Sequence, residues 1–574
     1  MSAVGEVKSE SMEEFMNENP FEPANPMFQF FVKSASPEAL YQKLSAMADD
    51  MGYEAFAQRV AGETVERTRP DRAIPEIYAD YRLLVRDGIE FFLSRIDCQR
   101  LLDLAVEQLK MGPTAESEER LLALAKRFPT LHKLGQIIAR NPNIDPEVKK
   151  WLIQLENGHY GTPEKGILEQ IQRQLEPVDS RERVEIAPAI LAEASVGAVV
   201  AFEHRMMSDA EPEKGVFKIL RPGIRKHLDE ELGILEQTAA FFEENRERYP
   251  LKNFKFLEIF QDVREMLIKE IDLAAEQAHL AEAARFYDDM DGVCIPRLLP
   301  FGTSEMTAMA YLHGPKITDA DLGPEQRKEL ADILFEALVC RPLFCRREAA
   351  LFHGDPHAGN ILAVMDAASD TPRIGLLDWS LAGRLAKGVR VGIVQLIQSL
   401  FKKDLSGILN AIPALAGDAS ADPPMTRPKL RDLILDMMHE RGFARQELIK
   451  KAFRMLESLA HEGWVFPVDL MLFRKAIFTL EGVLHDLWPA FNMDANVIAY
   501  LTALMSREMP LRLGNLLFPL ADRPENYPSL ISNTDLQSLM VHQYAAMMKA
   551  GSRTWVASLM RWHRVCGMSF GLTF

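Results

Sequence analysis

The chain has 574 residues, 47% hydrophobic and 26% charged, with a net charge of −17. It is long enough to bury a large core, and its acidic balance argues against nucleic-acid partners, which need a basic footprint. Its five cysteines form no C-x-x-C pair, which fits a reducing compartment and neither a disulfide framework nor a zinc cage.

Residues 1–26 hold six glutamates and one lysine, have no apolar run of signal-peptide length, and end in prolines at 20, 23 and 26. The sequence therefore predicts a disordered acidic leader over 1–35. Ser36-Pro37-Glu38 and Asp145-Pro146-Glu147 each read as a cap followed by proline in the first helical turn. Val148, Trp151, Leu152 and Leu155 follow the second signal on one helical face, so 36–190 reads as a helical extension. From 191 the pattern changes. Val196, Val199 and Val200, then Val216 to Leu220, predict a hairpin across a polar turn, followed by a long helical stretch to about 290. Short apolar runs at Cys294–Leu298 and Met306–Leu312 predict further strands, and Ile361–Val364 with Arg373–Leu377 predicts a second hairpin. From 385 onward the pattern is helical. No run is long and apolar enough to predict a spanning helix. After Asp535 there is no acidic residue, while Lys549, Arg553, Arg561 and Arg564 remain. Trp555, Leu559 and Trp562 share a helical face, which suits either an anionic membrane surface or a packed last helix.

The chemistry concentrates in His353-Gly354-Asp355-Pro356-His357-Ala358-Gly359-Asn360, with Asp378 eighteen residues after Asn360 at the end of an apolar strand. A carboxylate, an amide five residues on, and a second carboxylate beyond a hairpin match kinase-type phosphoryl transfer. There the first carboxylate accepts or orients a hydroxyl proton, and the other two groups hold Mg2+. Pro356 argues against reading His353 and His357 as a helical zinc pair. The same residue types also fill ordinary polar turns. Lys218, flanked by Val216, Phe217, Ile219 and Leu220, is a strand lysine that wants an anionic partner. Glu270, Asp272 and Glu276 are the candidates for its helical counter-charge, Asp272 and Glu276 being spaced to share a face. No G-x-G-x-x-G and no Walker motif is present. The loop before the first hairpin reads Leu191-Ala192-Glu193-Ala194-Ser195-Val196-Gly197.

Lys133-Leu134-Gly135-Gln136, Ala192 to Ser195, Val216-Phe217-Lys218, Glu270-Ile271-Asp272 with Glu276, His353 to Asn360, and Leu377-Asp378 with Gly383-Arg384-Leu385 occur in one order. Over about 125–390 this set resembles the UbiB/AarF family of atypical, protein-kinase-like proteins. The resemblance implies an α+β, protein-kinase-like bilobal fold, with a small antiparallel sheet in the N-lobe and extensive helical N- and C-terminal extensions. It implies an N-lobe over 191–314 and a C-lobe with its helical extension over 315–574. Asp355 and Lys218 would be catalytic, and Asn360 and Asp378 the Mg2+ ligands. Ala192, Ala194, Ser195, Gly197, Lys218 and Glu276, with Met309 to Leu312 as hinge, would bind ATP or ADP. Lys133 and Gln136 would cover the site, with Glu270 against Lys133. Members similar to this chain support ubiquinone or other isoprenoid-lipid metabolism at membranes. That implies a cytoplasmic protein able to sit peripherally on the inner face of a membrane, with residues 536–574 meeting isoprenoid lipid or the anionic surface.

The sequence departs from the family pattern at Trp379-Ser380, where Phe-Gly is usual after the metal aspartate. It also departs at Glu193 and Ala198 in and after the alanine-rich loop, and at Ala310 in the hinge. Two other functions fit parts of the same residues. One is a small-molecule phosphotransferase like the aminoglycoside and choline kinases, where Trp379 is at home but Lys133 and Gln136 have no role. The other is a nucleotide-gated, non-catalytic module that binds lipid or protein.

Overall fold

The computed structural model describes residues 35–131 except 75, 113 and 114, then 164–176, 183–193, 196–205 and 211–249. It continues with 261–365 except 262, 263 and 266, then 371–417, 424–517 and 522–550. The acidic leader to residue 34, the segment with Lys133 and Gln136, the helix expected after Asp145, the loop candidates Ala194 and Ser195, and the basic tail from 551 lie outside the described residues. Two units are distinguished, Met1–Leu273 with Phe301–Ala308, and Ala274–Pro300 with Met309–Phe574.

The first unit opens with helices α1 (Pro37–Met51), α2 (Tyr53–Thr68), α3 (Arg82–Leu93), α4 (Cys98–Lys110) and α5 (Ser117–Arg127). Ser36 caps α1, its hydroxyl accepting the Ala39 N–H at 3.2 Å, and Pro37 takes the first turn as the sequence predicts. Leu40, Leu44 and Ala48 recur at helical spacing and are buried with Phe56, Leu101 and Phe128. Helix α6 (Glu164–Leu175) precedes the sheet strands β1 (Arg183–Glu193), β2 (Gly197–Arg205) and β3 (Glu213–Leu220), and α7 (Ile224–Glu244) follows them. The buried Glu231 on α7 binds the Arg100 guanidinium of α4 and accepts from Thr130 N at 3.0 Å and Thr130 Oγ1 at 2.7 Å. Burial pushes its carboxyl above the ordinary value, against the opposing pull of Arg100 and Thr130.

Strand β1 corrects the helical reading of residues up to 190. Pro188 stands inside it, which an α-helix interior would not accept. β1 tolerates the proline because it is the outer strand of the sheet and its register with β2 shifts between Ile186 and Ile190. β2 and β3 form the expected hairpin, antiparallel and in continuous register from Gly197↔Leu220 to His204↔Glu213.

Helix α8 (Leu273–Phe286) comes next, then β4 (Val293–Cys294) and β5 (Met306–Ala310). β5 completes a four-stranded sheet in the order β1-β2-β3-β5, and it stops at Ala310, short of the run predicted to Leu312. Leu280, Ala283 and Phe286 of α8 join the core of the second unit, so the contact boundary falls before α8 although the motifs assign 191–314 to one lobe.

The second unit continues with α9 (Pro324–Phe335), β6 (Ala349–His353), β7 (Ile361–Met365), β8 (Pro372–Leu376) and β9 (Ala382–Ala386). β7 and β8 are the predicted hairpin, and β4 joins β8 in parallel. β6 and β9 form a separate antiparallel pair, unread in the sequence because each is only five residues and β9 is Ala-Gly-Arg-Leu-Ala. The helical remainder holds α10 (Lys387–Lys402), α11 (Leu405–Ala416), α12 (Arg427–His439), α13 (Leu448–His461), α14 (Val468–Leu487), α15 (Met493–Leu517) and α16 (Asn533–Ala550). Among the described residues no helix is long and apolar enough to cross a membrane.

Candidate active site

The loop that carries Asp355 is fixed at both ends by backbone. β6 forms because Ala350, Leu351 and Phe352 bury an apolar run against β9, in register from Ala349↔Ala386 to His353↔Ala382. At its end Gly354 donates its N–H to Leu381 O at 2.8 Å. A Cβ at Gly354 would lie 2.8 Å from that same oxygen and 3.2 Å from Leu472 Cδ2, so only glycine lets the two segments approach.

His353 is buried, with Nε2 2.9 Å from Leu377 O and Nδ1 accepting the Asp355 N–H at 3.2 Å. A carbonyl only accepts and an amide only donates, so the ring is neutral with its hydrogen on Nε2. Burial holds it below its ordinary pKa, against the pull of the Leu377 carbonyl. His357 caps the short turn Ala358–Asn360, its Nδ1 accepting Gly359 N–H at 3.0 Å. Both histidines therefore serve the backbone of the loop.

That turn delivers Asn360. Its side-chain nitrogen donates to Asp355 O at 3.2 Å, and its own carbonyl accepts Leu377 N–H at 2.9 Å. The β7–β8 hairpin pairs Ile361 with Leu376, which brings the residue before β7 beside the residue after β8. This is how an eighteen-residue separation places Asn360 and Asp378 in one neighbourhood. Asp378 has φ +52°, a left-handed backbone uncommon for a non-glycine residue, and its Oδ1 accepts Ser380 N–H at 3.2 Å.

Trp379 is fully buried, its ring 4.8 Å from that of His353 and its carbonyl accepting from His279 Nδ1 at 3.0 Å. The replacement of Phe-Gly by Trp379-Ser380 thus yields an indole seated in the core, with Ser380 N–H holding the Asp378 carboxylate.

Lys475, on α14, was not legible in the sequence. Its Nζ lies 4.0 Å from Asp355 Oδ1. The helix is seated under the loop by Leu472, beside Gly354, and by Phe473, whose ring centroid is 5.0 Å from that of Phe352.

The hinge candidates Met309 and Leu312 also belong to the second unit. Met309 bridges to Leu298, Ala310 N–H donates to Arg297 O at 2.8 Å, and Leu312 Cδ1 lies against Gly375. Gly314 follows where the chain crosses β7, and a Cβ there would lie 2.2 Å from Ala363 O.

In the first unit Lys218 sits mid-strand in β3 opposite Val199, half-buried between the buried Phe217 and Ile219. The alanine-rich segment is described up to Glu193 and again from Val196. Ala192 pairs with Val199 and Glu193 with Ala198, so these two residues are strand rather than loop. Ala192 is exposed, and Gly197 opens β2 where a Cβ would lie 2.9 Å from Ile219 O.

Among the counter-charge candidates, Glu276 is buried in the first turn of α8, Glu270 is half-buried, and Asp272 is exposed immediately before the helix. The chain turns at Ile271–Asp272, so Asp272 and Glu276 do not share the continuous helical face that their spacing predicts.

Among the described residues no group of three or more His, Cys, Asp or Glu side chains gathers to hold a metal. The oxygen-bearing pair Asn360 and Asp378 suits a hard cation that keeps water and substrate phosphate as its other ligands, which is how Mg2+ is normally held.

A strand lysine in a small antiparallel sheet, with a loop aspartate, an asparagine and a left-handed aspartate after a hairpin, defines a protein-kinase-like protein. Residues 162–412 match the sequence model of the ABC1 atypical kinase-like domain. The chain is 25% identical over 382 residues to an uncharacterized protein of Synechocystis, covering 66% of this chain and 62% of that protein. It is 24% identical over 426 residues to the chloroplastic protein ACTIVITY OF BC1 COMPLEX KINASE 7 of Arabidopsis thaliana, covering 73% of this chain and 55% of that one. It is also 24% identical over 423 residues to the probable protein kinase UbiB of Marinobacter nauticus, covering 71% of this chain and 73% of that one. The chain spans less than two thirds of the length of the first two relatives. The domain match and these relatives support the UbiB/AarF resemblance that the motifs carry.

Proposed function

We propose that the chain is an atypical kinase or ATPase that takes ATP or ADP together with Mg2+. The observation that carries this reading is the bracket around Asn360, whose amide nitrogen holds Asp355 O while its carbonyl holds Leu377 N–H. Asn360 thereby ties the backbone of Asp355 to that of Leu377, the residue before Asp378.

In this reading Asp355 accepts or orients the proton of the acceptor hydroxyl, and Asn360 and Asp378 hold Mg2+, which supplies positive charge to the phosphates. Lys218 pairs with the phosphates and Glu276 with Lys218. Ala192, Ala194, Ser195 and Gly197 form the phosphate-contacting turn, and Met309 to Leu312 form the adenine hinge. Lys133 and Gln136, with Glu270, cover the site. These last roles rest on the family resemblance, as does the division into a helical extension that ends before β1, an N-lobe from β1 to 314 and a C-lobe (315–574). The resemblance also supports a role in ubiquinone or other isoprenoid-lipid metabolism, with residues 536–574 at an anionic membrane surface.

The test measures phosphate release and thermal unfolding with ATP or ADP plus Mg2+, with and without anionic liposomes, on wild type and Asp378→Asn. Nucleotide at ~100 times its dissociation constant stabilises the fold by ~2.7 kcal/mol. No Mg2+-dependent shift in wild type, or an equal shift in Asp378→Asn, overturns the reading. Binding without turnover, even with liposomes, turns it into a nucleotide-gated module.

A further inference from the structure

We infer that Lys475 supplies the positive charge that steadies the phosphoryl group during transfer, acting from α14 on the Asp355 side of the site. The inference rests on the kinase reading above and names a residue that neither the motifs nor the family match at 162–412 assigns.

Transfer spreads negative charge over the equatorial oxygens of the moving phosphoryl group, and a cation aimed at them stabilises that state more than the ground state. The loop from His353 to Asn360 offers no such cation. His353 is neutral and its two ring nitrogens face Leu377 O and Asp355 N–H, while His357 Nδ1 accepts from Gly359. Lys475 Nζ lies 4.0 Å from Asp355 Oδ1, a long ion pair rather than a closed hydrogen bond. An ammonium has three donors and can hold the carboxylate while meeting a phosphoryl oxygen beside it.

The helix that carries it is rigidly seated. Phe473 packs against Phe352 of β6 and against Phe453 of α13, and Leu472 abuts Gly354. Arg474, the next residue, instead pairs with Glu457 at 2.7 Å, so the two adjacent cations of α14 have separate partners.

The step balances without a further reactant. The acceptor hydroxyl oxygen bonds to the γ-phosphorus, its proton passes to Asp355, and the bond from that phosphorus to the bridging oxygen breaks, ADP leaving with the electron pair. Lys475 stays protonated throughout.

The experiment compares wild type, Lys475→Gln, Lys475→Arg and Arg474→Gln by thermal unfolding and titration, using Mg2+ with ADP, then Mg2+ with ADP and aluminium fluoride as a mimic of the moving phosphoryl group. Where ATP turnover is measurable, kcat and KM are compared as well. Lys475→Gln should keep the ADP shift, lose at least ~10-fold of the extra tightening from aluminium fluoride, and lower kcat by ~10²-fold with KM little changed. Lys475→Arg should recover most of both losses, and Arg474→Gln should alter neither.

The inference is overturned if Lys475→Gln behaves as wild type, if it loses the ADP shift along with the rest, or if aluminium fluoride adds nothing in wild type. Wild type that fails to bind ADP with Mg2+ overturns the kinase reading itself. Normal ADP binding with an indifferent Lys475 overturns this inference alone. If Lys475→Gln does not fold, Lys475→Met, which keeps the chain length and removes the charge, takes its place with the same expected losses.

Discussion

The loop around Asp355 and Asp378 and the strands around Lys218 carry their candidate residues in different ways. In the second unit each chemical group is tied to the core: His353 is buried, Trp379 is fully buried behind Asp378, and Asn360 is hydrogen-bonded to both neighbouring segments. In the first unit Lys218 and Ala192 are placed by strand register, one half-buried in β3 and the other exposed at the end of β1. Phosphoryl chemistry needs fixed oxygens around the metal, whereas a lysine on a long flexible stem tolerates a less rigid support. Damage to the supports should therefore cost stability in the second unit and leave it nearly untouched in the first.

The largest expected effect breaks the support of Asp378. Trp379→Ala removes a fully buried indole and should cost ~3–5 kcal/mol in chemical denaturation, with loss of the Mg2+-dependent nucleotide shift. Asp378→Asn separates chemistry from support. Asparagine accepts the left-handed backbone at φ +52°, so unliganded stability should stay within ~0.5 kcal/mol while the ~2.7 kcal/mol nucleotide shift disappears.

Lys218→Met sharpens the contrast from the other side. It keeps the apolar stem in β3, so the unliganded melting temperature should barely move while nucleotide affinity falls. A fall in stability comparable to that of Trp379→Ala would show the two regions to be supported alike.

The smallest effect lies far from the site, at Glu63 on α2. Burial pushes its carboxyl from 4.5 up to about 7, against the lowering influence of Arg67 and Arg59. A raised folded-state pKa favours the protonated folded form, so this group's contribution to stability is lost as pH rises from about 4.5 to about 7. Glu63→Gln should flatten the pH dependence of unfolding across that window. An unchanged slope would show that Glu63 titrates normally.

Much of this organisation was legible in the residues. Both predicted hairpins formed, because β-branched runs bounded by polar turns allow few other structures. The cap at Ser36 formed as read. The grouping of Asp355, Asn360 and Asp378 could be anticipated because a hairpin of that length returns the chain to its starting point. β1 escaped notice because its proline is acceptable only on an outer strand, and strand order is not written in a local pattern. Asp272 and Glu276 were read as one helical face because spacing does not reveal a turn at Ile271.

The sequence by itself determined which chemical groups are present and which of them lie within one hairpin of each other, since those relations are local and follow from chain geometry. Only the tertiary structure decided the rest. It turned Trp379 into a buried anchor, made His353 a neutral bracket between two backbone segments, and carried Lys475 to the edge of Asp355. Each of these depends on packing between segments distant in the chain. Burial and close approach are properties of the assembled core, and no periodicity or spacing encodes them.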